Sequence, residues 1–163
     1  MNEKYNEKRI RQNINLKNPL HIIAFGFGSG LIQKAPGSFG SLVGVFLAYL
    51  LCFVSGWVYI AVTLIGLVVG VWICEKVSDD LNVHDYKGIV WDEIIGILLA
   101  LWLIPFGYWW IISFILFRIL DILKPSIIGV VDRKYNGGLG IMLDDVIAGV
   151  ICFLIVHCLI KIF

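Results

Sequence analysis

The chain has 163 residues, of which 60% are hydrophobic and 15% charged, with a formal net charge of +1. Soluble domains carry nearer a quarter charged residues, so this composition and a mean hydropathy of +0.91 point to one membrane-embedded domain rather than a soluble globule. The near-neutral balance gives no case for nucleic-acid binding.

The first 18 residues form a polar basic tail carrying Lys4, Lys8, Arg9, Arg11 and Lys17. It lacks the apolar stretch of a cleavable signal peptide. Residues 19–163 read as a single membrane-embedded domain. Within it, residues 20–33 are apolar but short, and are expected to enter the bilayer without crossing it. From Ala35 to Cys74 run 40 residues without an Asp, Glu, Lys or Arg. A crossing helix needs about 20 apolar residues. This run therefore holds two spans, 41–55 and 57–75, broken at Ser55-Gly56.

The next charge-free run, Ile94–Phe117, has 24 residues. It reads as one long span or as a hairpin turning at Pro105-Phe106-Gly107, a good turn signal. Charge placement separates the two readings. With the basic tail in the cytoplasm, spans at 89–105 and 108–124 leave 12 of the 13 Lys and Arg on the cytoplasmic side and only Lys161 outside. A single span would export Lys124, Arg133 and Lys134, against the positive-inside bias. The run Val146–Ile160 makes the last span. The expected fold is an all-α, polytopic membrane bundle of about five transmembrane helices, with a short re-entrant N-terminal element. Cys52, Cys74, Cys152 and Cys158 lie in apolar runs at no metal-binding spacing and read as small buried hydrophobes.

Under this topology four polar stretches meet on one membrane face: GFGSGLIQKAPGSFGS (26–41), HDYKGIVWDEIIG (84–96), FRILDILKPS (117–126) and GGLGIMLDDVIAG (137–149). Asp92, Glu93, Asp121, Asp144 and Asp145 sit at or one turn inside the ends of spans. A charge at the bilayer centre costs roughly 2.5 kcal/mol or more. Acids at a helix N-terminus also suit its dipole, which accounts for any single pair as a solvated helix end. Five carboxylates with few bases point instead to a divalent cation, and oxygen-only ligands suit Mg²⁺, Mn²⁺ or Ca²⁺. Asp121 lies near a helix C-terminus and calls for a local partner, Arg118 at i−3 or Lys124 at i+3. Gly96 and Gly149 each follow an acid by four, leaving room for a neighbouring helix. Ser38 and Ser41 open the first span, where hydroxyls and backbone N–H groups suit an anion. Arg118, Lys124 and Lys34 are the cations available for phosphate. His84 reads as a loop partner of Asp85 or as an acid–base group.

In order and spacing, the segments GSGLIQKAPGSFGSL, HDYKGIVWDEIIG, FRILDILKPSII and GGLGIMLDDVIAGV resemble the bacterial phosphatidylglycerophosphatase A family, from about Phe25 to Gly149. Family members often carry Thr where this chain has Ser38, so the hydroxyl is kept. The resemblance implies an integral enzyme of the bacterial cytoplasmic (inner) membrane, Mg²⁺-dependent, converting phosphatidylglycerol phosphate to phosphatidylglycerol and phosphate at the cytoplasmic face. The expected metal ligands are Asp92, Glu93, Asp121, Asp144 and Asp145. Asp92, Glu93, Asp121, Asp145 and His84 are the expected catalytic groups, with His84 or a carboxylate protonating the leaving alkoxide. Arg118, Lys124, Lys34, Ser38 and Ser41 are expected to hold the phosphate. The rival class is a small ion or metal transporter, since membrane carboxylates also mark ion pathways. A headgroup transferase is disfavoured, because the DG…AR…G…D…D pattern of CDP-alcohol phosphotransferases is absent.

Overall fold

In a computed structural model describing residues 10–83, 86–124 and 137–162, all regular structure is helical. Pro19–Ala24 forms a short helix, α1, capped by the Asn18 side chain, which accepts from the Leu20 amide. A 3₁₀ segment, Gly26–Leu31, follows, and positive φ at Phe27 and Gly28 breaks its path. Ala24 and Phe25 are fully buried, so the short apolar element of residues 20–33 packs against protein.

α2 (Pro36–Leu51) opens on a proline, whose fixed φ and missing N–H suit the first helical position. α3 (Gly56–Leu81) is capped by Ser55 and stops where Asn82 turns left-handed. It runs past Cys74 into charged sequence, where Lys76 and Asp80 pair at i,i+4. α4 (Trp91–Leu101) and α5 (Tyr108–Leu123) flank the break expected at Pro105-Phe106-Gly107. α6 (Gly137–Ile162) closes the described chain.

Among the described residues two helices, α3 and α6, are long and apolar enough to cross a membrane, with 26 residues each. α2 and α5 have 16 residues and α4 has 11, so helix length does not reach the expected count of five spans. The shortfall is greatest at α4. Its 11 residues rise only ~16 Å, about half of a ~30 Å hydrocarbon core. Beyond its end, Leu103 takes a positive φ in the segment that leads to the next helix.

α4 is also the centre of the bundle. Every residue from Ile94 to Leu101 is buried, and α2, α3, α5 and α6 all pack on it. Glycines set the close approaches. A Cβ at Gly40 would stand 2.6 Å from Val90 Cβ, and one at Gly70 would meet the Trp91 indole at 2.6 Å. Gly96 and Gly149 face each other across the α4–α6 crossing, so the two small residues predicted from their spacing to the acids share one contact. Outside, the molecule is apolar: Trp57, Ile65, Val68 and Ile111 are all exposed. Cys74 and Cys152 are buried as expected, whereas Cys52 and Cys158 lie on the apolar outer surface.

Candidate active site

Asp92 and Glu93 fall in the first turn of α4, where acids favour the positive end of the helix dipole. Asp144 and Asp145 do not have that support. α6 begins by Gly137, so they lie two turns inside the helix rather than at its mouth. Both are buried, Asp145 to 2% exposure. The crossing of Gly96 over Gly149 brings the two acid pairs to the same depth, and Asp92, Glu93 and Asp145 each present one oxygen within 4.8 Å of the others.

α5 delivers the counter-charges. Arg118 Nη1 lies 2.5 Å from Asp121 Oδ2, the i−3 partner, and 4.0 Å from Glu93 Oε1. The same nitrogen donates to Ser41 Oγ at 3.2 Å. Lys124 ends α5 in the left-handed region and reaches Asp144 Oδ2 at 2.7 Å. α2 enters from the third side. Gly37 has no side chain because Glu93 and Arg118 occupy that space; a Cβ there would stand 3.1 Å from Arg118 Nη2.

These groups line one cleft of about 410 Å³, together with Ser38 and Lys87. The lining holds five carboxylates (Asp92, Glu93, Asp121, Asp144, Asp145) and three cations (Lys87, Arg118, Lys124). The formal deficit of two positive charges is that of one divalent cation. Glu93 Oε2 and Asp145 Oδ1 are buried without a hydrogen-bond partner, and so is Arg118 Nε. Buried polar atoms are costly to leave unmet. Oxygen donors with open lone pairs, close together and beside a fixed guanidinium, fit a hard divalent cation and an anion together.

Two of the residues predicted from the sequence are placed elsewhere, and a third is not among the described residues. Lys34 is exposed and is not part of the cleft lining. Ser41 is fully buried behind the cleft, donating to Gly37 O at 2.9 Å while accepting from Arg118. It braces the arginine rather than facing a ligand. His84 lies outside the described residues. Conversely, Lys87 lines the cleft although no role was expected for it. Its only signal is the following Gly88, which packs tightly on the 3₁₀ segment: a Cβ there would stand 2.9 Å from Gly30 O.

Two helices of bilayer length packed with shorter ones around a charged cleft define a class: an all-helical protein of membrane type with a cleft of carboxylates and bases. The sequence profile of phosphatidylglycerophosphatase A matches residues 22–160, and the chain belongs to that family. It is 43% identical over 143 residues to phosphatidylglycerophosphatase A of Escherichia coli, covering 86% of this chain and 83% of that protein. It is 42% identical over 156 residues to phosphatidylglycerophosphatase A of Haemophilus influenzae, covering 94% and 96%. A Bacteroides thetaiotaomicron protein with the provisional name phosphatidylinositol-3-phosphatase is 35% identical over 144 residues, covering 83% and 89%. No solved structure matches the chain. The transporter alternative draws no support from these matches.

Proposed function

We propose that this chain is a membrane lipid phosphatase that hydrolyses phosphatidylglycerol phosphate to phosphatidylglycerol and inorganic phosphate, with Mg²⁺ as its cofactor. The observation that carries the reading is the cleft, where Asp92, Glu93 and Asp145 converge within 4.8 Å beside Arg118, in a chain whose relatives are named for this activity. In this reading the apolar helices make about five crossings of the bacterial inner membrane, α4 completing its path through the Trp102–Phe106 segment. The cleft opens at the cytoplasmic face, where the basic tail also lies.

Asp92, Glu93 and Asp145 would hold the metal, with Asp121 and Asp144 flanking it. Held there, a divalent cation would offset the phosphate charge and make the attacking water easier to deprotonate. The chain's own groups do the rest. Arg118 and Lys124 take the nonbridging phosphate oxygens, with Lys87 at the rim, which is the positioning phosphoryl transfer mostly requires. Asp121 and Ser41 fix the Arg118 guanidinium in one orientation. A carboxylate oxygen of Asp145 or Glu93 accepts a proton from the attacking water. The new P–O bond forms as the bond to the glycerol oxygen breaks, and the proton passes to that leaving alkoxide.

The test is phosphate release from phosphatidylglycerol phosphate by detergent-purified protein, with Mg²⁺ and with excess EDTA. Release should require Mg²⁺ and fall at least ~100-fold in Asp145→Asn, the lower bound of one general acid–base contribution. Monodisperse wild-type protein that releases no phosphate from this lipid would overturn the proposal.

A further inference from the structure

The three cations of the cleft lining stand at three depths. The side chain of Arg118 is 13% exposed and that of Lys124 32%, whereas Lys87 is an exposed residue. The two deeper cations are tied to carboxylates, Arg118 to Asp121 and Lys124 to Asp144. Both come from the end of α5. Lys87 comes from a different element, the stretch just before α4.

That stretch holds its lysine on a firm mount. The Ile89 amide donates to Tyr86 O at 2.8 Å, closing a four-residue turn with Lys87 and Gly88 at its corner. Tyr86, Gly88, Ile89 and Val90 are buried, so Lys87 is the exposed tip of a buried turn. The turn is pinned from behind by the α1 region. The Val90 amide donates to Ala24 O at 2.9 Å, and the Tyr86 ring packs on Phe25 with centroids 6.1 Å apart. Gly88 lies against Gly30, which leaves the turn no room to slide. A fixed backbone lowers the cost of holding a ligand with a long side chain.

The cleft is also larger than one phosphate needs. At about 410 Å³ it falls in the range of ~300–1,000 Å³ that takes whole small molecules. The substrate of the proposed reaction carries two phosphates. One is the terminal monoester that is hydrolysed. The other is the diester that joins the glycerol headgroup to diacylglycerol and stays in the product. With the monoester at Arg118 and Lys124, the diester lies toward the opening of the cleft, because the acyl chains it carries stay with hydrocarbon.

We infer that Lys87 is a specificity-determining residue that binds the phosphodiester of the substrate while Arg118 and Lys124 bind the monoester. The inference rests on the lipid-phosphatase reading above and adds which further part of the headgroup is recognised. Phosphatidic acid, whose only phosphate is a monoester, would lack this contact.

The experiment uses phosphatidylglycerol, which keeps the diester and lacks the monoester, to inhibit phosphate release from phosphatidylglycerol phosphate in mixed micelles at fixed ionic strength. Its inhibition constant should rise about tenfold in Lys87→Gln, the low end for one hydrogen bond to a charged group. The loss of turnover should fall in KM rather than kcat, as for binding shared by substrate and transition state. Lys17→Gln removes an exposed cation outside the cleft lining and should leave the inhibition constant at the wild-type value. Phosphatidylglycerol that does not inhibit the wild-type protein overturns the inference. So does a constant unmoved in Lys87→Gln, one raised equally in Lys17→Gln, or a loss confined to kcat. Wild-type protein that releases no phosphate overturns the phosphatase reading instead.

Discussion

At the aromatic end of the bundle, three aromatic side chains find neutral partners for their polar atoms. The Tyr59 hydroxyl donates to Leu98 O at 2.9 Å, the Trp102 indole to Gly56 O at 3.1 Å, and the Trp110 indole to Ile104 O at 3.0 Å. Leu98 lies in the last turn of α4, where a helix leaves its carbonyls unpaired. Three aromatic side chains thus close the end of a short helix without bringing in a charge. At the cleft end the opposite holds. Five carboxylates crowd around three cations, and buried atoms of Glu93, Asp145 and Arg118 lack partners. The three aromatic donors are met within the chain; the cleft leaves several buried polar atoms open. Where water is scarce, unmet polar atoms are expensive; those of Glu93, Asp145 and Arg118 gather in the cleft, whereas Ser113 Oγ and His157 Nδ1 lie outside it.

Replacing Arg118 by Lys is the sharpest way to break that contrast. The charge stays, but the planar fork that reaches Asp121, Glu93 and Ser41 together is lost. Turnover, read as kcat/KM for phosphatidylglycerol phosphate, should fall about 10- to 100-fold, the range expected for one charge-assisted hydrogen bond of ~1.5–3 kcal/mol. The thermal midpoint in detergent should barely move. An Arg118→Lys protein with wild-type kcat/KM would reduce Arg118 to a structural partner of Asp121.

The cleft was more legible in the sequence than the helices that build it. Acids inside apolar runs are visible without a structure, because charge is rare and costly there. Asp92, Glu93, Asp121, Asp144, Asp145, Arg118 and Lys124 were all picked out that way, and they line one cleft. α4 was less legible. A charge-free run looks the same whether it faces lipid or lies inside protein, so this 11-residue helix, with nine residues buried, could not be told from a full span. The start of α6 was hidden because GGLGIML looks like a loop, yet it is helical from Gly137. Ser41 was misread in direction only. One helical turn after Gly37, it points at Arg118 rather than into the cleft.

Gly96 joins the two ends, since α4 carries the acids at its start and the aromatic closure at its finish. A Cβ there would stand 2.7 Å from the Phe117 ring and 2.8 Å from Asp145 O. The backbone oxygen cannot rotate away, so α6 must shift and carry Asp145 with it. Gly96→Ala should destabilise the protein by about 1–3 kcal/mol, as overpacking does. It should also lower turnover per folded molecule, which separates it from a purely structural defect. Denaturation in detergent and phosphate release on the same samples check both. Full turnover in Gly96→Ala would show that the cleft tolerates movement of α6.

The smallest expected effect lies at the aromatic end. Tyr59→Phe removes one hydroxyl and leaves Leu98 O, in the last turn of α4, without its donor. Hydrogen bonds between membrane helices average about 0.6 kcal/mol and reach about 1.7 kcal/mol. The thermal midpoint should therefore fall slightly, while turnover per folded molecule holds at the wild-type value, because the cleft lies at the opposite end of α4. A selective loss of turnover in Tyr59→Phe would mean that α4 transmits strain along its length, and that its two ends are not independent. With turnover intact, a stability change within the hydrogen-bond range would assign stability to one end of a single buried helix and chemistry to the other.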